Sequence, residues 1–464
     1  MADLADDTQW MDATAQAALI TNGEATSVEL VEAAMARIDR INPQINAVIM
    51  KWYDRARLQA TAIDDAYPDH EQSWSPFAGV PFLLKDLAAH DEGTTQSSGN
   101  IALKEAAPVS THDTTLVKRF RDAGLINLGR TNSPELGSLP VTEPLAWGPT
   151  RNPWNTDHTP GGSSGGASAA VASGMVPMAH ASDGGGSIRI PASCAGLFGL
   201  KTSQGRASLG PERDESALSV ALCVSRTVRD TAGLLDAVHG PGVGDTIIAP
   251  APTRPYVEEL GADPGRLRIG LLDHHPTGGA LHDDCITAVR SAGSLLESLG
   301  HDVSPAFPAA LTDASFQGRF MAMWAVNMAV GIDGMGELLG RPLTEDEVEP
   351  VNWAQAQWAK ELTGVAYAEA LQAVMQFRRS LRSWWEVDGW DLLLTPTLAE
   401  PPVRIGEHLA TDDDPMAGMK RAGKFVAFTP PFNTSGQPAM NVPLHWNDEG
   451  LPVGVQLAAG YGRE

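Results

Sequence analysis

The 464-residue chain contains only three cysteines, Cys194, Cys223 and Cys285, with no paired spacing. That scarcity excludes a disulfide framework and a cysteine-built zinc site, and it points to a reducing, cytoplasmic setting. Basic residues are also few: 33 Lys and Arg against 57 Asp and Glu leave a formal net charge of −24. An acidic surface repels nucleic acid and anionic membrane, so neither is expected as a partner, and the substrate is expected to be neutral or cationic. No apolar run approaches the length of a membrane span. The acidic start, Met1 to Asp7, lacks the basic-then-apolar order of a secretory leader. Internal repeats are absent. What is there, 43% hydrophobic and 19% charged residues, describes a globular protein with a sizeable core.

Thr26 and Glu29 have capping-box spacing, and Leu30, Ala34, Ile38 and Ile41 recur at helical intervals until Asn42-Pro43, where the helix is expected to stop. Short apolar strands are expected at Val80–Leu84, Val176–Ala179, Leu125–Leu128, Arg268–Leu272 and Leu392–Leu394. They alternate with helices at Thr114–Ala123 and Cys285–Leu299, the latter ended by Gly300. This alternation argues for an α/β domain with a largely buried sheet. Residues 315–388 read as helical and tryptophan-rich. Residues 406–425 show no periodicity and read as a long loop, a candidate lid.

Two serine-centred glycine clusters carry the chemistry. The first is Gly161-Gly162-Ser163-Ser164-Gly165-Gly166, and the second is Asp183-Gly184-Gly185-Gly186-Ser187-Ile188-Arg189. Gly/Ser strings also form flexible linkers, but these two alternate with core-forming segments such as Ala167–Ala172. Glycine lets a backbone approach a ligand closely and turn its N–H groups inward, as an oxyanion hole requires. A serine ending such a run is placed to attack a carbonyl, and a lysine can be the base in Ser-Lys variants of the serine triad. Lys85 follows the apolar run Val80–Leu84, which suits burial. Its alternative is an ion pair with Asp86. His158 and His180 lie nearest the clusters in sequence, so a Ser-His-Asp arrangement stays open on the residues alone. Cys194, in an apolar context, reads as a packing residue.

Together these segments resemble the amidase signature family over nearly the whole chain. The resemblance implies a mixed central sheet between helical layers. Residues 1–70 would be a helical segment packed on a catalytic domain, 71–464. It implies a triad of Lys85, Ser163 and Ser187, with a cis peptide bond before Ser163 and an oxyanion hole from the N–H groups of Gly184, Gly185, Gly186 and Ser187. Ser164, Asp183 and Arg189 would support the loop. Trp147, Trp324, Asn433 and Gln437 are the candidate pocket residues. No metal or cofactor is expected. Within the family, Asp12–Ala17, Asn42–Ile49 and Trp147–Asn155 look most similar to the 6-aminohexanoate cyclic dimer hydrolases and related urethanases. Similar proteins continue into a final helix beyond the strand-like Val453–Leu457. The expected function is hydrolysis of amides or carbamates of neutral, apolar small molecules through a Ser187 acyl-enzyme. The alternatives are the glutaminase A subunit of a tRNA amidotransferase and a catalytically silent binding protein.

Overall fold

Thr26 and Glu29 form the reciprocal capping box that their spacing predicts: Thr26 Oγ1 accepts from the Glu29 N–H, and the Glu29 carboxylate accepts from the Thr26 N–H at 2.9 Å. The helix Ser27–Ile45 follows and buries Leu30, Val31, Ala34, Met35 and Ile38. It does not stop at Asn42-Pro43. Proline's fixed φ is helical, and its missing N–H strands one carbonyl, that of exposed Asp39. Closure comes at Asn46, whose left-handed backbone (φ 55°) ends the helix and whose N–H donates to the Asn42 carbonyl at 2.8 Å.

The structure, a computed structural model, describes residues 2–66, 75–211 and 218–464. The expected boundary at residues 70 and 71 lies outside the described residues. Eleven strands are present among the described residues: β1 (Val48–Lys51), β2 (Pro81–Lys85), β3 (Ile126–Thr131), β4 (Met178–Asp183), β5 (Phe198–Lys201), β6 (Val220–Ser225), β7 (Arg268–Leu271), β8 (Asp302–Pro305), β9 (Leu392–Pro396), β10 (Ala439–Trp446) and β11 (Pro452–Ala459). They form a three-stranded sheet, order β1-β3-β2, and an eight-stranded sheet, order β4-β6-β5-β10-β11-β9-β7-β8. Parallel pairs (β2 with β3, β7 with β8 and β9) mix with antiparallel ones. Every residue of β4, β5 and β6 is buried, so both sheet faces are covered there. The expected α/β architecture with a mixed sheet is therefore present.

β4 begins two residues later than expected, because Pro177 has no N–H to donate to a ladder. The tryptophan-rich region is three helices, Phe316–Leu339, Pro350–Glu361 and Gly364–Glu386. The expected loop 406–425 is a loop only in its first half, and Ala417–Phe425 is helical, with Gly418, Ala422 and Phe425 buried. What positions the site is the docking of the small sheet on the large one. β2 packs beside β4, and the Lys85 backbone N–H donates to His180 Nδ1 at 3.3 Å. The C-terminal ends of the two strands thus lie together.

Candidate active site

Lys85 is the last residue of β2 and is fully buried. Its Nζ lies 2.7 Å from Ser163 Oγ and 3.0 Å from Ser182 Oγ. Asp86 turns the other way: its carboxylate accepts from the Ser97 hydroxyl, from the Ser97 N–H at 2.8 Å and from the Gly99 N–H at 3.1 Å. His180, held against the Lys85 backbone and the Phe120 ring, is pushed down to about 3, chiefly by burial, so its imidazole stays neutral. Ser163 follows a cis peptide bond from Gly162. A Cβ on Gly162 would stand 2.6 Å from the Val141 carbonyl oxygen, so no side chain fits there. Ser164 Oγ donates to the Ser182 carbonyl (3.2 Å) and accepts from the Ser182 N–H (3.3 Å), tying the first glycine cluster to β4.

The second cluster leaves β4 as a tight loop and runs into the helix Arg189–Ala195. Gly186 takes φ 139°, and a Cβ there would collide with Thr429 Oγ1, whose hydroxyl donates to the Gly185 carbonyl at 2.7 Å. Among the described residues, nothing accepts from the N–H groups of Gly184, Gly185, Gly186 or Ser187. Of these, Gly185 and Ser187 border the cavity described below. Beneath the loop, Arg189 grips Asp183 in a bidentate pair with both bonds at 3.0 Å and both side chains out of contact with water. Asp183 also accepts from the Ile188 N–H at 3.1 Å. Burial alone would raise its carboxyl, but Arg189, Lys201 and Asn433 together hold it down to about 2. Among the described residues, no hydrogen bond joins Ser187 to Ser163.

Ser187 and Gly185 border a cavity of about 550 Å³. Phe316, Phe320, Trp324, Met416, Met419 and Val426 give it apolar walls. Gly137–Pro140 form a further part of its wall. That wall is set by Glu135, whose buried carboxylate accepts from Asn100 Nδ2 and Asn352 Nδ2, each at 2.7 Å, and from the Glu349 N–H at 2.9 Å. Leu136 and Gly137 then turn with positive φ and bring Gly137 against Ser163.

The Amidase family pattern matches residues 29–464. The chain belongs to the amidase signature family. It is 43% identical over 465 residues to a 6-aminohexanoate-cyclic-dimer hydrolase of Paenarthrobacter ureafaciens, an alignment covering 98% of this chain and 92% of that one. A solved structure of 6-aminohexanoate cyclic dimer hydrolase superposes with a TM-score of 0.93 at 42% identity, covering 98% of this chain and 94% of the other. A bacterial aryl acylamidase structure of the same family superposes with a TM-score of 0.87 at 28% identity, with the same coverages. The chain is thus an amidase signature hydrolase, acting on C–N amide bonds.

Of the four candidate pocket residues, the amidase's cavity takes up one, Trp324. Trp147 lies outside it, with its indole N–H on Ser97 Oγ at 2.9 Å and Lys104 over its ring. Asn433 is buried behind the glycine loop, donating to the Asp183 carboxylate and carbonyl and accepting from Arg189. Gln437 is buried too, donating to the Ala459 carbonyl at 2.8 Å. Both amides serve buried groups of the fold and do not line the cavity. Ser182 was not anticipated, nor was the wall Gly137–Pro140; no motif marks either. Cys194 is buried, and burial pushes its thiol well above the usual range. Among the described residues, no group of His, Cys, Asp and Glu is placed to hold a metal ion, and no helix is long and apolar enough to cross a membrane.

Proposed function

We propose that Ser187 is the nucleophile, Ser163 the proton relay and Lys85 the base of an enzyme that hydrolyses amides and carbamates of neutral, apolar small molecules. One observation carries the reading: Lys85 Nζ stands 2.7 Å from Ser163 Oγ beside a free-donor loop at the head of an apolar cavity. Ser187 Oγ bonds to the carbonyl carbon while its proton passes to Ser163 and the Ser163 proton passes to a neutral Lys85. The electron pair of the C=O bond moves to oxygen, where the N–H groups of Gly184 to Ser187 receive it. Losing one such donor typically costs about 2.7–4 kcal/mol of transition-state stabilisation. Collapse breaks the C–N bond, and the amine leaves with the proton returned from Lys85 through Ser163. Water then repeats the sequence and frees the acid. The relay requires the Ser187 hydroxyl to rotate towards Ser163 on substrate binding. Asp183, Arg189 and Ser164 hold the two loops in place.

The likeness to the cyclic dimer hydrolases supports uncharged amides with methylene bulk as substrates. A carbamate carbonyl builds the same oxyanion, so urethanes are within reach of the same groups. We read residues 1–70 as packed on a catalytic domain formed by the rest, and three buried free thiols suit a cytoplasmic setting. The test compares kcat/KM for an aryl carbamate, a matched anilide, a cyclic amide and free glutamine, together with labelling by an organophosphonate. The adduct is expected on Ser187; finding it on Ser163 or Cys194 overturns the assignment. Glutamine preferred by more than tenfold, about 1.4 kcal/mol, overturns the apolar-substrate reading in favour of an amidotransferase subunit. No turnover of any substrate would favour the binding-protein alternative.

A further inference from the structure

We propose that Gln317 and Gly423 form a size filter at the mouth of the cavity. The cavity's lining is of two kinds. Ser187 is buried and Gly185 half-buried in the glycine loop, whereas Gln317 and Gly423 are exposed to solvent. Gln317 is the second residue of the helix Phe316–Leu339, and Gly423 lies on the helix Ala417–Phe425, so the two helices face each other across the entrance. A Cβ built on Gly423 meets one heavy atom within 4 Å, Nε2 of Gln317, at 2.8 Å. The Gln317 carboxamide therefore lies against the Gly423 backbone, and the two occupy one point on the cavity rim.

Two properties make the pair a filter. Gly423 has no left-handed backbone, so a larger residue is conformationally allowed there, and its side chain would compete with the Gln317 carboxamide for the same space. The Gln317 carboxamide makes no hydrogen bond among the described residues and is exposed, so it can swing aside as a substrate enters. Its amide also presents a donor and an acceptor to the distal polar group of a long substrate at the rim of otherwise apolar walls. The inference rests on the reading that this cavity receives the substrate.

The test uses the full-length enzyme and two anilides, 4-nitroacetanilide and an analogue enlarged on both sides of the scissile bond. Gly423→Leu should lower kcat/KM for the large anilide at least about tenfold more than for the small one, the lower end of what a misfitting methylene or two costs in an apolar pocket. Adding Gln317→Ala to Gly423→Leu should restore at least threefold on the large substrate, because it empties the same gap from the other side. Gln317→Trp, on an exposed position of the opposite helix, should reproduce the selectivity and stands in if Gly423→Leu fails to show a normal melting transition. Equal loss on both substrates, no loss on either, or no relief in the double variant overturns the filter. Labelling by a small methylphosphonate separates this from the underlying reading: modification of wild-type enzyme outside the cavity refutes the site, whatever the substrate ratio shows.

Discussion

Replacing Asp183 by Asn should cost about 3–5 kcal/mol of unfolding free energy, although Asp183 touches no substrate. The change removes the charge that partners Arg189, which is fully buried and also donates to the Thr429 carbonyl (3.0 Å), Gln456 Oε1 (2.7 Å) and Asn433 Oδ1 (2.7 Å). Removing one member of a buried pair leaves the other uncompensated, and that is where the magnitude comes from. A second route gives a smaller figure. The fall of the Asp183 carboxyl from 3.8 to about 2 corresponds to about 2 kcal/mol. That quantity compares the charged with the protonated acid at an unchanged site, whereas Asn also turns an N–H donor towards Arg189, so the larger figure applies. Urea unfolding at neutral pH measures it, with Asp122→Asn as control. Asp122 pairs with Lys118 at 2.8 Å with both side chains more than 60% exposed, and its loss should cost no more than about 0.5 kcal/mol. Because the Asp183 carboxyl is depressed, its stabilisation is complete above pH 3.8 and fades as pH falls towards 2, so the difference between wild type and variant should narrow there by about 2 kcal/mol. A loss under about 1 kcal/mol at neutral pH, or a difference that widens in acid, would refute the reasoning.

Lys85→Arg should lose several orders of magnitude in kcat and regain nothing at higher pH, since a guanidinium stays protonated; substantial turnover would rule out the base role, measured as a pH-rate profile against wild type. Gly137→Ala should lower kcat at least tenfold with a folded enzyme, because its Cβ would stand 2.6 Å from Leu87 Cδ2 and 3.0 Å from Ser163 Oγ on a backbone at φ 69°. Steady-state kinetics beside a thermal melt checks it, and an unchanged kcat would show that the wall does not constrain Ser163.

The parts of the site legible in the sequence are those where chemistry dictates residue type. Gly162 and Gly186 are glycines because Val141 and Thr429 stand where a Cβ would be, and such crowding leaves a visible string of glycines around each serine. Lys85 was legible because an apolar strand runs into it. Trp147, Asn433 and Gln437 show the limit. Residue type says that an amide or indole N–H will find a partner, but not whether that partner is a substrate or a carbonyl of the fold. Here the partners are Ser97, Asp183 and Ala459.

The helix Ala417–Phe425 shows the other limit. Two glycines in nine residues lower its intrinsic propensity and conceal it. Gly418 is required because the His408 carbonyl packs against it, and Gly423 faces Gln317 across the cavity mouth. Both demands come from residues outside the helix, one ten positions earlier and one 106 positions earlier, so its own pattern does not announce them. Acyl transfer needs a few groups in fixed mutual geometry, and local backbone supplies it. Substrate selection depends on the space shared by Gln317 and Gly423, about a hundred positions apart in the chain, and that space is set only when the chain has folded.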